Sequence, residues 1–510
     1  MSDVLSVLAS SLNDTQLAAA ARRLKNSTVN GGNRSAALTA LIELARSQKR
    51  MAVLICANAF DVARLNQEIA WLDPSLKVSS LPDWETLPYD TMSPHADLVS
   101  ERLETLYNLT SDDLQARPDV LIAAASTAAQ RFAPKSYVAG NTFFFRKGQT
   151  ISIGKLEASL VAAGYGRVEQ TMAPGEFAVR GGIVDIFPMG ATPLRLDLFD
   201  DEIDAIRRFD PESQRSTGSV DRVRILPGHE FAFDEESRNR FRAAWRAAFP
   251  GDPNKCPVYV DVGSGICSPG IEYYLPLFFE STGTLADYLP DNALFITLGE
   301  TRDAIDSFMR QTQERYKFLS HDAQRPALPP EKLFDKADSF FDAIAPFGRI
   351  SLKAPETGID TSLTIERSAK DPAAKLKDFV AKCRIEKKRI LIVATGSGRA
   401  ARLQELLRDG VREPELVESF AAFVNGSEPL AIAVGPLSGG FVLEEPGLVI
   451  ITESELYNTK AIIRRRGHNR TTNVEAIIRD VSELREGDPV VHAAHGVGRY
   501  HGLETISTEE

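Results

Sequence analysis

Cysteine is scarce, with four residues in a chain of 510, and the four (Cys56, Cys256, Cys267, Cys383) stand far apart. Such spacing writes neither a disulfide framework nor a paired-thiol zinc knuckle, so a reducing, cytoplasmic setting is expected. No uninterrupted apolar stretch approaches the length a membrane helix needs. The start, Met1-Ser-Asp-Val-Leu-Ser-Val-Leu, reaches Asn13-Asp14 without a basic n-region or a signal core, so a soluble intracellular chain is expected. Basic charge is also in deficit: 59 Lys and Arg against 70 Asp and Glu leave a formal net charge of −11. That balance disfavours a protein whose whole surface binds a polyanion, while leaving room for local basic patches.

What remains is ordinary globular material, 43% hydrophobic and 25% charged. Single cores saturate near about 250–300 residues, so three or four domains are expected. Leu38, Leu41, Ile42 and Ala45 recur at helical spacing and lead into the apolar run Met51-Ala-Val-Leu-Ile-Cys56. A second helix places Val62, Leu65, Ile69 and Leu72 on one face, and short strands follow near Val78 and at Val120-Leu-Ile-Ala-Ala124. Strands alternating with helices predict a parallel, helix-covered sheet. From about 140 to 210 the rhythm turns to strands and tight turns, among them Leu194-Arg-Leu-Asp-Leu-Phe199 with its period of two. The α/β pattern then resumes with an expected strand at Val258-Tyr-Val-Asp-Val262 and another at Ala293–Leu298, so the small module reads as an insertion.

Pro326, Pro329 and Pro330 punctuate a linker. Beyond it, Arg389-Ile-Leu-Ile-Val-Ala394, a helix bearing Leu403, Leu406 and Leu407, and strands at Ala431–Val434 and Leu448–Ile451 make a second α/β unit. Lys460 to Arg470 holds five basic residues and no acidic one, a solvated tether. The text changes again at Gly487, and the segment to Glu510 is too short for an independent fold, so a domain cut short is expected. The expected division is therefore 1–135 with 213–335 for the first α/β domain, 136–212 for the inserted module, 340–456 for the second α/β domain, 457–482 for the basic linker, and 483–510 for the start of a β-rich domain.

Chemistry-bearing motifs are weak. A phosphate loop needs spaced glycines, a Lys for the terminal phosphates and a Ser or Thr for magnesium. Gly31-Gly32-Asn-Arg34-Ser35 lacks the leading Gly and sets Arg-Ser where Lys-Thr belongs, and Gly154-Lys155 is followed by Leu156. Both read as capping loops. Gly396-Ser-Gly398 between a strand and a helix is explained as well by tight-turn chemistry as by phosphate binding. His492, His495 and His501 come with no thiol or carboxylate cluster, and no metal is expected. Trp84 and Tyr89, in Leu81-Pro-Asp-Trp-Glu-Thr-Leu-Pro-Tyr-Asp90, suit a groove or, more commonly, a capped core.

The most informative stretch is Gly175-Glu-Phe-Ala-Val-Arg-Gly-Gly-Ile-Val-Asp-Ile-Phe-Pro188, in which Gly181-Gly182 signals a two-residue hairpin. The turn would pair Val179 with Val184 and Phe177 with Ile186 on a buried face, leaving Glu176, Ala178, Arg180, Ile183, Asp185 and Phe187 on the other. Two readings of that second face stand side by side. An arginine and an aromatic on a rigid hairpin are what interfaces are made of; equally, Phe187 packs under the Pro188 loop and Arg180 pairs with Asp185.

Three runs, Pro82-Asp-Trp-Glu-Thr-Leu-Pro-Tyr-Asp90, Pro174-Gly-Glu-Phe-Ala-Val-Arg-Gly-Gly-Ile-Val-Asp-Ile-Phe-Pro188 and Val490-Val-His-Ala-Ala-His-Gly-Val-Gly-Arg-Tyr500, resemble in order the hallmarks of the bacterial transcription-repair coupling factors. The resemblance implies an α/β multidomain fold: a UvrB-like, degenerate helicase-type α/β domain with an inserted small α+β module, a second α/β domain, and the start of a Tudor-like β-barrel. It implies an adaptor with no catalytic residue that recruits UvrA, the excision-repair damage sensor, to stalled RNA polymerase. UvrA binding carries over to Arg167, Arg180 and Phe187, and contact with the polymerase β subunit to Tyr500, Leu503 and Ile506, weakened by truncation. The nucleotide loop (Gly31, Gly32, Arg34, Ser35) is degenerate, and Leu298-Gly-Glu300 stands where an acidic magnesium-binding pair belongs. ATP, magnesium and double-stranded DNA are expected at a translocase motor beyond Glu510, and a C-terminal domain is expected to mask the UvrA face. An active UvrB-like ATPase, or DNA binding through Lys460 to Arg470, are the rival readings.

Overall fold

The computed structural model describes residues 27–30, 34–111, 116–353, 363–366, 369–408, 413–443, 447–457, 489–492 and 496–499. Along the first part of the chain run β1 (Ser27–Asn30), α1 (Arg34–Ser47), β2 (Ala52–Cys56), α2 (Phe60–Leu72), β3 (Val78–Leu81), α3 (Ala96–Thr110) and β4 (Val120–Ala124). Every residue of β2 and β4 is buried, as unbroken apolar runs must be when helices cover both faces of a sheet.

The chain then leaves this sheet and builds a second one from β5 (Phe143–Arg146), α4 (Ile153–Ala162), β6 (Gly166–Arg167), β7 (Glu176–Arg180), β8 (Ile183–Phe187), β9 (Leu194–Phe199), β10 (Glu202–Phe209), β11 (Ser216–Val220) and β12 (Arg222–Ile225). Its six-stranded order is β11-β10-β9-β8-β7-β6, and β5 and β12 pair separately. The hairpin register is the one the two glycines predict, Phe177 with Ile186 and Val179 with Val184. One face is closed by α4, whose Leu156 and Leu160 pack with Phe177, Val184, Ile186, Leu194 and Leu196. Each such side chain, fully buried, contributes about 1.5–3 kcal/mol. The sequence reading ended this module at 212, but β11 pairs with β10 beyond that point. The exposed polar stretch Ser216–Val220 carries no apolar alternation to announce a strand.

After α5 (Glu235–Ala248) and α6 (Pro257–Gly263), β13 (Leu294–Leu298), α7 (Thr301–Leu319) and β14 (Gly348–Lys353) return to the first sheet. The completed order is β1-β14-β13-β2-β4-β3, with every adjacent pair parallel. Two expectations are corrected here. Val258–Val262, expected as a strand, is helix α6: Pro257 opens it, and Val258, Tyr259 and Val262 are buried at helical spacing. The run satisfies both periods, and packing against the neighbouring α5 selects the helical one. Gly348–Lys353, which the sequence division gave to the second α/β domain, lies instead between β1 and β13.

The second α/β unit contains α8 (Ala374–Ile385), β15 (Arg389–Ala394), α9 (Ser397–Arg408), β16 (Glu415–Val417), β17 (Leu430–Val434), β18 (Phe441–Leu443) and β19 (Leu448–Thr452), in the order β16-β17-β15-β19-β18. It shares a core with the first sheet through α2. Leu65, Ile69 and Leu72 of that helix join Leu54, Ile122 and Ile296 on one side and Phe420, Phe423 and Phe441 on the other in one apolar cluster. The polar side of α2 is equally committed. Buried Glu68 accepts hydrogen bonds from Arg64 Nη1 (3.1 Å) and from the N–H and Oγ of Ser438 (3.1 and 2.6 Å). Trp71 Nε1 donates to the Val434 carbonyl at 3.1 Å, and Gly435 lies so close that an added Cβ would sit 2.5 Å from the indole.

Considered by itself, the last part of the chain holds the antiparallel hairpin β20 (Pro489–His492) and β21 (Gly496–Arg499), and no closed barrel is present among the described residues. No helix among the described residues is long and apolar enough to cross a membrane. None of the four cysteines forms a disulfide.

Candidate docking surface

The face of the six-stranded sheet that α4 leaves uncovered is built by alternation. With Phe177, Val184, Ile186, Leu194 and Leu196 turned to the core, Arg180, Ile183, Asp185, Arg195, Asp197 and Phe199 lie on the opposite side. Cross-strand register brings them together: Arg180 opposes Ile183, Asp185 opposes Arg195, and Ile183 opposes Asp197. Opposite charges in adjacent strands link these rows. Asp185 pairs with Arg195 and Arg180, and Asp197 accepts from Arg207 Nε at 2.7 Å.

The turns fix the tip of this face. Gly181 has φ +61°, the positive value a two-residue hairpin needs at its first central position. A Cβ on Gly182 would stand 2.7 Å from the Leu198 carbonyl oxygen, and the Leu198 N–H donates to the Gly182 carbonyl at 2.7 Å. The hairpin tip thus lies close against β9, and on the open face Ile183 and Phe199 are 36% and 76% exposed. The Asp185 carboxylate, hydrogen-bonded to it, raises the pKa of Arg195 while burial opposes the rise.

The structure separates the three residues that the resemblance grouped. Arg180 is on the open face with a half-exposed side chain. Arg167 on β6 aligns with Phe177 and pairs with Glu157 of α4 at 3.2 Å, which puts it on the helix-covered side of the sheet. Phe187 has the outer parity but is only 3% exposed, so the expectation of an exposed Phe187 is corrected. Alternation fixes the face, whereas exposure depends on where the strand goes next. Just beyond Phe187, Met189 enters the large core, the Met189 N–H donates to Tyr165 Oη (3.2 Å), and the Gly190 N–H donates to Ser100 Oγ on α3 (2.6 Å). Phe187 thus marks the root of the module. The exposed aromatic among the described residues of this face is Phe199, which sequence reasoning passed over; its signal was an aromatic on the polar phase of Leu194-Arg-Leu-Asp-Leu-Phe199. Arg180 does pair with Asp185, as the blander of the two hairpin readings expected.

The remaining motifs resolve as follows. Trp84 and Tyr89 are 4% and 7% exposed and belong to the core. Gly396 and Gly398 flank the start of α9, where Glu453 accepts from the N–H and Oγ of Thr395 (2.8 and 3.0 Å) and pairs with Arg399 at 2.9 Å, so a carboxylate of this chain lies at that turn. Gly31, Gly32, the Lys460 to Arg470 tether, His495, Tyr500, His501, Leu503 and Ile506 lie outside the described residues, and Arg34 and Ser35 are described only as backbone of α1. No group of His, Cys, Asp and Glu able to hold a metal is found among the described residues.

Comparison with known proteins gives three domain matches: the UvrB interaction domain over residues 143–231, the MFD D3 domain over 379–456, and the CarD-like/TRCF RID domain over 484–510. The chain is 35% identical to the transcription-repair-coupling factor of Haemophilus influenzae over 484 residues, covering 92% of this chain and 41% of that protein. The Escherichia coli protein of the same name is 35% identical over 485 residues with the same coverage. That of Bacillus subtilis is 26% identical over 511 residues, covering 95% of this chain and 42% of the relative. The chain thus spans about two-fifths of the length of these curated relatives.

Proposed function

On the premise that the chain belongs to the transcription-repair-coupling factors over the part of them that it spans, we propose that it is an adaptor that recruits UvrA to stalled RNA polymerase. The observation that carries this reading is the outer face of the module, where half-exposed Arg180, Ile183 and the 76%-exposed Phe199 share one side of a sheet whose other side is a packed core. Arginine and large aromatics on a rigid support supply most of the energy of protein interfaces. The region matched by the UvrB interaction domain contains this face, which supports UvrA as its partner.

The RID match at 484–510 supports the polymerase, through its β subunit, as the second partner. Within the residues that precede that match, the core shared through α2 ties both α/β units to one another. ATP hydrolysis with magnesium, translocation on double-stranded DNA and masking of the UvrA face are functions expected of parts of the relatives that this chain does not span.

The test is a UvrA pull-down with Phe199→Ala and Arg180→Ala, singly and together. The double substitution is expected to abolish capture while the circular dichroism spectrum stays that of the wild type. Capture undiminished by the pair sinks the reading.

A further inference from the structure

A single carboxylate underlies the docking face. Asp185 is 0% exposed, in the middle of β8, and accepts from Arg195 through both oxygens (2.6 and 2.8 Å) and from Arg180 Nη2 at 2.5 Å. The two arginines are held differently. Arg195 is pinned: its guanidinium carbon lies 4.9 Å from the centre of the Phe209 ring, Nη1 donates to the Gln214 carbonyl at 3.4 Å, and its side chain is 17% exposed. Arg180 has a side chain 51% exposed and gives Asp185 one of the five N–H donors a guanidinium carries.

Resting on the docking reading above, we infer that Asp185 is a positioning residue for recognition. It holds Arg180 so that the remaining edge of the guanidinium faces solvent, where it takes a carboxylate of the partner in a two-bond pair. Arg195, bound to both Asp185 oxygens and stacked on Phe209, keeps that carboxylate in place. An unrestrained arginine has to give up rotamer freedom when it docks, whereas one already held by a buried acceptor has given it up on folding.

Orientation and simple attraction make opposite predictions. Asp185→Asn removes a negative charge from the face, so a partner drawn by charge alone would bind more tightly, while a partner needing an aligned guanidinium would bind less tightly. The experiment measures the affinity of the purified chain for UvrA by biolayer interferometry, with circular dichroism as the check on folding. The variants are Asp185→Asn, Arg180→Lys, Arg180→Ala and the double Asp185→Asn/Arg180→Ala. Asp185→Asn is expected to weaken binding on the order of tenfold. Arg180→Lys should weaken it by a similar factor, because an ammonium answers Asp185 but cannot form the planar two-bond pair. The double variant should bind no more weakly than Arg180→Ala alone, the mark of two residues acting as one.

Wild-type or tighter binding by Asp185→Asn, or wild-type binding by Arg180→Lys, with Arg180→Ala impaired, overturns the positioning role and leaves the docking face standing. Wild-type binding by Arg180→Ala also overturns the positioning role, and the docking face falls with it only where the Phe199→Ala/Arg180→Ala pair captures UvrA undiminished. Should Asp185→Asn disturb the fold, the Arg180→Lys arm decides alone, since it changes a half-exposed side chain.

Discussion

Removing one partner of the Arg102–Glu230 pair is expected to loosen the platform on which the docking module stands. Arg102 on α3 is 0% exposed, Glu230 is 4% exposed, and the pair is doubly bonded, Nε to Oε1 at 2.6 Å and Nη2 to Oε2 at 3.3 Å. Trp84 Nε1 also donates to Glu230 Oε1 at 3.1 Å, Arg102 Nη1 donates to the Pro82 carbonyl at 2.6 Å, and the guanidinium carbon lies 5.2 and 5.6 Å from the ring centres of Trp84 and Phe132. Arg102→Met keeps the bulk but leaves a buried carboxylate with one neutral donor, which costs about 3–5 kcal/mol. Arg102→Met/Glu230→Met leaves no buried charge, only the Trp84 N–H and the Pro82 carbonyl without those partners, so it is expected to recover a large part of the loss.

The assay is hydrogen exchange by mass spectrometry on the 96–110 peptide. A cost of that size speeds exchange through local opening by about a hundredfold to several thousandfold. Urea denaturation gives the parallel shift in midpoint. Two results would refute the reasoning: a change under about 1 kcal/mol for the single variant, or a double variant less stable than the single. The first would mean that water reaches the pair; the second, that the pair is worth more than its desolvation.

Three further outcomes follow from the same structure. Burial pushes the Glu272 carboxyl from its ordinary 4.5 to about 7, despite the hydrogen bond from Ser93 Oγ. The unfolded chain then ionises at lower pH than the folded one, so stability falls as pH rises from about 4.5 to about 7, by about 3 kcal/mol at about 1.36 kcal/mol per pH unit. Urea titrations should show that slope, and Glu272→Gln should flatten it; an unchanged slope counts against the assignment. Gly435→Ala drives a methyl group into the Trp71 indole and should cost about 1–3 kcal/mol, read as faster exchange in α2 and β17; unaltered exchange would mean the two units part without cost. Phe187→Ala should lower the melting temperature through a cost of about 3–5 kcal/mol, whereas Phe199→Ala should stay within about 0.5 kcal/mol of wild type; equal melting points would contradict their different burial.

Local pattern determined a good deal of this protein by itself. Unbroken apolar runs announced β2, β4, β15 and β19, helical spacing announced α1 and α2, and Gly181-Gly182 determined both the hairpin and its register, because these depend on residues a few positions apart. The three quoted runs were enough to point to the family. The tertiary structure decided everything that depends on distant partners. A run that fits two periods, Val258–Val262, became a helix because of what it packs against, and Gly348–Lys353 joined the first sheet because its neighbours there are β1 and β13. Alternation assigned Phe187 and Phe199 the same phase of the module, but exposure is a property of what passes overhead. Phe187, where the strand runs back toward the large core, is buried, and Phe199 is left in solvent.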